Sequence, residues 1–156
     1  MLIIFDKDGT LVQNPAPGRP ANTLDEQVLF PDVVAKCIQL RGEGHTLAIA
    51  TNQGGVAFGH FDHHTAVSLL KSVAETIGAD LYAICATHPR ATVKRAKRDS
   101  RFRKPNPGML QYLMDALGFL PDETLYVGDM ESDRQTAQAA GVKFAWAWEF
   151  FDRPVS

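Results

Sequence analysis

The sequence predicts a three-layer α/β/α sandwich built on a mostly parallel five-stranded sheet, with no large cap domain. Three observations predict it. Five short apolar runs rich in β-forming residues recur along the 156 residues. None of them alternates strictly between apolar and polar, as expected of strands buried on both faces. Helical patterns separate the runs, and strands alternating with helices make parallel sheets.

The elements follow in order. "LIIF" (2–5) is the first strand. The Pro-rich stretch "VQNPAPGRPANT" (12–23), with Pro15, Pro17 and Pro20, predicts an extended surface flap over 12–24. Residues 31–42 predict a helix with Pro31 in its first turn and Val34, Cys37, Ile38 and Leu40 as its apolar face. "TLAIA" (46–50) is the second strand, and 63–77 a helix with Ala66, Leu70, Val73 and Ile77 on one side. "LYAICA" (81–86) is the third strand. Asn106 and Pro107 read as a helix N-cap and first-turn proline ahead of the stripe Leu110, Leu113 and Leu117. "TLYVG" (124–128) is the fourth strand, and Gly141 ends a short helix over 133–140. "KFAWAW" (143–148) closes a Rossmann-like sheet within a single domain spanning 1–156. The aromatics of "FAWAWEFF" (144–151) are read as core, with a dimer patch or a wall of the site as alternatives.

Composition excludes several classes. Hydrophobic residues make up 45% and charged residues 22%, ordinary for a globular protein. No apolar run approaches the roughly 20 residues that span a bilayer. The start "MLIIFDKDGT" has neither a basic leader nor a small-residue cleavage site. Two cysteines, Cys37 and Cys85, make no disulfide framework. The expectation is a cytoplasmic protein with reduced thiols and no membrane partner; oligomeric state is left open. The net charge of −2 hides an asymmetry: residues 94–104 hold seven Lys and Arg against Asp99, net +6, so the remainder carries −8. This basic loop, counted over 87–104, reads as a solvated loop or as a clamp for an anionic substrate.

In a parallel sheet, ligands bind beyond the carboxyl ends of the strands. The first strand exits into "DKDGT", where Asp6 and Asp8 stand two residues apart ahead of Gly9. Taken alone, such a pair suits a polar turn first. It also suits a hard cation such as Mg²⁺, or a division of labour between nucleophile and proton carrier. The second strand exits into "TNQGG", where Thr51, Asn52, Gln53, Gly54 and Gly55 form either an ordinary loop or a phosphate cradle. The fourth exits into "VGDMESD", adding Asp129 and Asp133; the latter suits a helix cap as well as a metal shell. Lys104 precedes a helix, and a lysine there suits neutralising a carboxylate nucleophile and holding a phosphate.

Together these residues resemble the haloacid dehalogenase superfamily of phosphatases over nearly the whole chain. "FDKDGT", "ATNQGG", "RKPNPGM" and "VGDMESD" are similar to its four motifs, in order. They look closest to the small-capped group that contains histidinol-phosphate phosphatase, heptose 1,7-bisphosphate phosphatase and the phosphatase domain of polynucleotide kinase-phosphatases. The resemblance implies Mg²⁺-dependent hydrolysis of a phosphomonoester. Asp6 would be the nucleophile forming an aspartyl-phosphate, and Asp8 the general acid and then base. Thr51 and Lys104 would hold the phosphoryl group. Asp6, the Asp8 carbonyl and Asp129 would bind Mg²⁺, with Asp133 in or behind that shell. Asn52, Gln53, Gly54 and Arg103 are expected at the substrate. Heptose bisphosphate phosphatases carry a zinc loop of this length; its ligand positions here are Cys85, Thr87, Ser100 and Phe102, so no structural zinc is expected. His88 is one residue out of place for that set, and His60, His63 and His64 read as exposed. The substrate is expected to be a small phosphorylated metabolite such as a sugar phosphate or bisphosphate. A nucleic-acid 3′-phosphate end is the enzymatic alternative, and a non-catalytic module docking through its basic loop the alternative of another class.

Overall fold

Alternate residues of the central strand enter two different cores. In the computed structural model, which describes residues 1–154, five parallel strands lie in the order β3-β2-β1-β4-β5. They are β1 (Leu2–Phe5), β2 (Thr46–Asn52), β3 (Leu81–Cys85), β4 (Thr124–Gly128) and β5 (Lys143–Trp146). The helices are α1 (Val33–Gly42), α2 (Gly54–Ala57), α3 (His63–Ile77), α4 (Gly108–Leu117), α5 (Glu131–Ala140) and α6 (Ala147–Phe150). Ile3 and Phe5, with Leu47, Ile49 and Val127, face a core shared with α1 and α3. Leu2 and Ile4, with Ala48, Ala50 and Tyr126, face the opposite core, shared with α4 and α5. The two-residue period of a strand thus explains the unbroken apolar runs: both faces are covered.

The structure bears out the expected layers and corrects several local readings. The buried face of α1 is Val33, Cys37 and Leu40; Ile38 is 63% exposed and Val34 lies at the surface. The helix begins after Asp32, so Pro31 precedes its first turn and the seam is rotated from the face expected. Asn106 does not cap α4. Its amide Nδ2 donates to the Ser100 carbonyl at 2.9 Å, closing the preceding loop, and Pro107 takes the cap position. The last strand ends at Trp146, where the chain turns into α6. Elsewhere the ends are conventional: Asp62 accepts from the Thr65 amide at 2.7 Å to start α3, and a left-handed Gly141 stops α5.

The aromatic carboxyl-terminal stretch divides. Phe151 stacks on Phe5 at 5.9 Å between centroids, and Phe150 meets Phe5 edge-on at 5.7 Å. Trp146 and Trp148 stack on each other at 4.7 Å and stay half-buried at the β5 edge. Cys37 is fully enclosed, and burial pushes its thiol up to about 12, so it is protonated and unreactive near neutral pH.

Because Phe5 joins the central strand to both carboxyl-terminal phenylalanines, Phe5→Ala is predicted to cost about 3–5 kcal/mol in urea unfolding. A loss below about 1 kcal/mol would place the carboxyl-terminal aromatics outside the core.

Candidate active site

The strand order places β1 between β2 and β4, where the winding of the chain reverses direction. The residues leaving these three strands therefore meet at one edge. The Asp6 amide donates to the Val127 carbonyl at 2.9 Å, which carries the β1–β4 pairing one residue past β1 and fixes the Asp6 backbone. The next residues fold back at once: the Lys7 carbonyl accepts from the amides of Thr10, Leu11 and Val12 at 3.3, 2.9 and 3.0 Å. Gly9 has φ +85°, and a Cβ there would fall on the Asp129 carboxylate. The "DKDGT" segment is thus a tight turn and part of a site at once, and glycine is needed for both.

Three carboxylates converge. Asp6, Asp129 and Asp133 each bring an oxygen within 4.8 Å of the others. Lys104, 4% exposed, lies between two of them: its Nζ donates to Asp6 Oδ1 at 2.6 Å and to Asp133 Oδ1 at 2.8 Å. Asp133 has no free oxygen. Its Oδ1 also accepts from the Tyr126 hydroxyl at 2.9 Å, and its Oδ2 accepts from the amides of Asp129 and Met130 at 3.2 and 3.1 Å. Asp133 therefore caps α5 and holds Lys104 with the same side chain. Asp129 is the opposite case. Its Oδ1 is buried without a hydrogen-bond partner among the described residues, so it is an oxygen lacking a donor there.

The electrostatics follow from this packing. Burial pushes the Asp6 carboxyl well above the usual range; Lys104 opposes the shift, and Asp133 and Asp129 reinforce it. Burial also raises Asp129. For Lys104, burial favours the neutral amine, but Asp6 and Asp133 outweigh it and hold the ammonium above its ordinary value. Burial and the neighbouring Asp133 raise the Tyr126 hydroxyl well above its ordinary range, so it remains a donor. Three carboxylates against one ammonium leave two negative charges uncompensated in a buried space. Such a cluster must either hold protons or take up a cation. An all-oxygen donor set with an unpartnered Asp129 oxygen fits a hard divalent ion.

Asp8 stands apart from this cluster by its side chain. Its Oδ1 accepts from Lys7 Nζ at 3.0 Å and its Oδ2 from Gln53 Nε2 at 3.0 Å. Gln53 also donates to Thr51 Oγ1 at 2.8 Å, and Asn52 Oδ1 accepts from the Lys104 amide at 3.2 Å. The end of β2 thus orients Asp8 and fixes the segment that carries Lys104. A cleft of about 250 Å³ opens over these groups, lined by Asp6, Asp8, Lys104, Asp129 and the segment from Thr51 to Gly55. The flap contributes Asn14, Gly18 and Pro20. Arg103 does not line this cleft: its guanidinium donates to the neighbouring Lys104 carbonyl at 3.3 Å.

The basic loop is held by small apolar contacts. Ala57, Ala91 and Ala96 are buried together against Phe58 and Val93, and the His88 ring lies 5.0 Å from Phe58. The His88 amide donates to the Ala96 carbonyl at 3.0 Å, and Phe102 packs on the α4 side of the sheet. Lys94, Arg95, Lys97, Arg98 and Arg101 are exposed around this small core, and His60, His63 and His64 are exposed as expected.

Sequence reasoning missed Lys7, Gln27 and Tyr126. Lys7 is fully buried although it is a lysine, and Tyr126 is fully buried in β4. Both carried a signal: a Tyr inside a strand covered on both faces needs a partner for its hydroxyl, and a residue between two cleft-facing aspartates points into the core.

Comparison with known proteins agrees with this geometry. The model of the polynucleotide kinase 3 phosphatase family matches residues 1–151. The D-glycero-beta-D-manno-heptose-1,7-bisphosphate 7-phosphatase of Photorhabdus laumondii is 32% identical over 146 residues, covering 90% of this chain and 76% of that protein. The D-glycero-alpha-D-manno-heptose-1,7-bisphosphate 7-phosphatase of Burkholderia mallei is 38% identical over 104 residues; the match spans 64% of this chain and 55% of that protein. The D,D-heptose 1,7-bisphosphate phosphatase of B. bronchiseptica, solved with magnesium and phosphate, superposes with a TM-score of 0.78 at 26% identity, over 92% of this chain and 78% of that one. The chain is a phosphatase of the haloacid dehalogenase superfamily and belongs to its polynucleotide kinase 3 phosphatase family.

Proposed function

We propose that this phosphatase is Mg²⁺-dependent and works through an aspartyl-phosphate formed on Asp6. The observation that carries the reading is the undercompensated cluster of buried Asp6 and Asp133 and half-buried Asp129 around Lys104. Asp6, the Asp8 carbonyl and Asp129 are the groups that would hold the ion, with Asp133 behind them fixing Lys104. Bound there, Mg²⁺ supplies the positive charge that lets an anionic phosphate approach an anionic nucleophile.

The chain's own residues divide the remaining work. An Asp6 oxygen attacks phosphorus in line while the bond from phosphorus to the ester oxygen breaks. Asp8, protonated, gives its proton to that leaving oxygen, and an alcohol departs. Water then attacks the aspartyl-phosphate, Asp8 takes a proton from it, and the bond to Asp6 breaks to release inorganic phosphate. Thr51 and Lys104 hold the phosphoryl oxygens, their charge and hydroxyl already in place before the reaction. Gln53 fits a positioning role better than a substrate contact, since its Nε2 donates to both Asp8 and Thr51.

The substrate is proposed to be a small phosphorylated sugar, a sugar bisphosphate foremost. The heptose bisphosphate phosphatases among the relatives and the modest cleft support this. Specific observations favour a nucleic-acid 3′-phosphate as the second reading: the family model is that of a polynucleotide phosphatase, and the basic side chains of the loop that leads to Lys104 are exposed. Neither reading includes a structural zinc, since of Cys85, Thr87, Ser100 and Phe102 only the first is a zinc-ligating residue type. No helix among the described residues is long and apolar enough to cross a membrane. A cytoplasmic setting suits the two unpaired thiols.

Asp6→Asn is predicted to lower turnover of p-nitrophenyl phosphate more than about a thousandfold, and EDTA to abolish it until Mg²⁺ is restored. Activity that survives both treatments would refute the nucleophile and the metal together. Across a panel of sugar phosphates, histidinol phosphate and 3′-phosphorylated oligonucleotides, a sugar bisphosphate is predicted to give the highest kcat/KM. An oligonucleotide that leads the panel, with a rate falling steeply as salt rises, would favour the second reading.

A further inference from the structure

Lys7 is the one charged side chain in the molecule's central turn that the proposed chemistry does not use, and it is 0% exposed. A lysine enclosed in this way loses its hydration, and packing alone does not account for it: a methionine of similar length would fill the space without a charge. What the ammonium does make is two hydrogen bonds, to Asp8 Oδ1 at 3.0 Å and to Gln27 Oε1 at 3.2 Å. Gln27 is fixed in turn, since its Nε2 donates to the Leu69 carbonyl of α3 at 3.0 Å. On the other oxygen of Asp8, Gln53 donates at 3.0 Å, and the same amide nitrogen holds Thr51. Gln53 is itself buried.

We propose that Lys7 and Gln53 are positioning residues that clamp the two oxygens of Asp8 from opposite sides, and that Gln27 anchors the clamp to α3. The inference rests on the acid–base reading of Asp8. A carboxylate free to turn about its χ angles presents a proton in many directions, whereas one donor on each oxygen fixes the plane of the group. Each oxygen keeps a second lone pair, so the clamp leaves room for the proton that Asp8 transfers. The continuous chain Leu69–Gln27–Lys7–Asp8–Gln53–Thr51 joins the acid to the hydroxyl proposed to hold the phosphoryl group, so the two keep a fixed relation.

The test is a leaving-group comparison. Lys7→Met, Gln53→Met and Asp8→Asn are made in the full chain and checked for folding by circular dichroism. kcat/KM with Mg²⁺ is then measured for p-nitrophenyl phosphate, whose leaving group needs no proton, and for the best alkyl phosphate of the panel, whose leaving group does. If the clamp aims the proton, both clamp variants lose about a hundredfold or more on the alkyl ester and less than about tenfold on the aryl ester, following Asp8→Asn. A residue that only supports the fold lowers both rates alike. Equal losses on the two esters in the clamp variants, with the split present in Asp8→Asn, overturn the proposal. Absence of the split in Asp8→Asn overturns the acid–base reading of Asp8 and this proposal with it. Gln53→Met removes no charge and alters a side chain at the cleft, so its ratio decides alone if Lys7→Met does not fold.

Discussion

One ammonium group organises the site. Lys104 Nζ is shared between Asp6 and Asp133 at 2.6 and 2.8 Å, and almost every other feature of the cluster follows from holding it there. Its backbone is tied to Asn52 at the end of β2, and its charge is balanced by residues from β1 and α5. Asp133 spends its remaining capacity on Tyr126 and on two amides at the start of α5. Three elements of the sheet edge are therefore joined through one buried cation, and removing it would leave buried carboxylates facing one another.

The same interaction explains why the site is undercompensated. Lys104 balances one of three carboxylates, and Asp129 retains an oxygen with no donor. Proteins rarely keep such a group without a reason, and in a phosphatase the reason proposed here is a divalent ion. Glycines make the crowding possible: side chains at Gly9 and Gly128 would run into Asp129 and Asp133 respectively.

Much of this was legible in the sequence, and the limits of that legibility are physical. The five strands were visible because burial on both faces requires unbroken apolar runs, and their ends located the carboxylates. The seam of α1 was misjudged because Val33, Val34, Cys37 and Ile38 offer two apolar faces, and only the sheet beneath selects one. Asn106 matched a cap by type but was recruited by the Ser100 carbonyl, a contact six residues away that no local pattern encodes. Arg103 was expected at the phosphate from its adjacency to Lys104, yet the two sit in successive tight turns, where sequence adjacency sets no common direction, and its guanidinium turns back on the Lys104 carbonyl. At the centre of the basic loop lie alanines too small to stand out in the sequence.

The central claim is that the carboxylate cluster is built for a divalent cation, and a thermal titration tests it most directly. Metal-free protein would be unfolded by heat at rising Mg²⁺, alongside Asp129→Asn, which removes the charge from the unpartnered oxygen. The account predicts that the midpoint of the native protein climbs steadily with Mg²⁺, as binding to the folded state requires, and that the climb is largely lost in the variant. A native midpoint indifferent to Mg²⁺ up to about 10 mM, or an equal rise in Asp129→Asn, would contradict it.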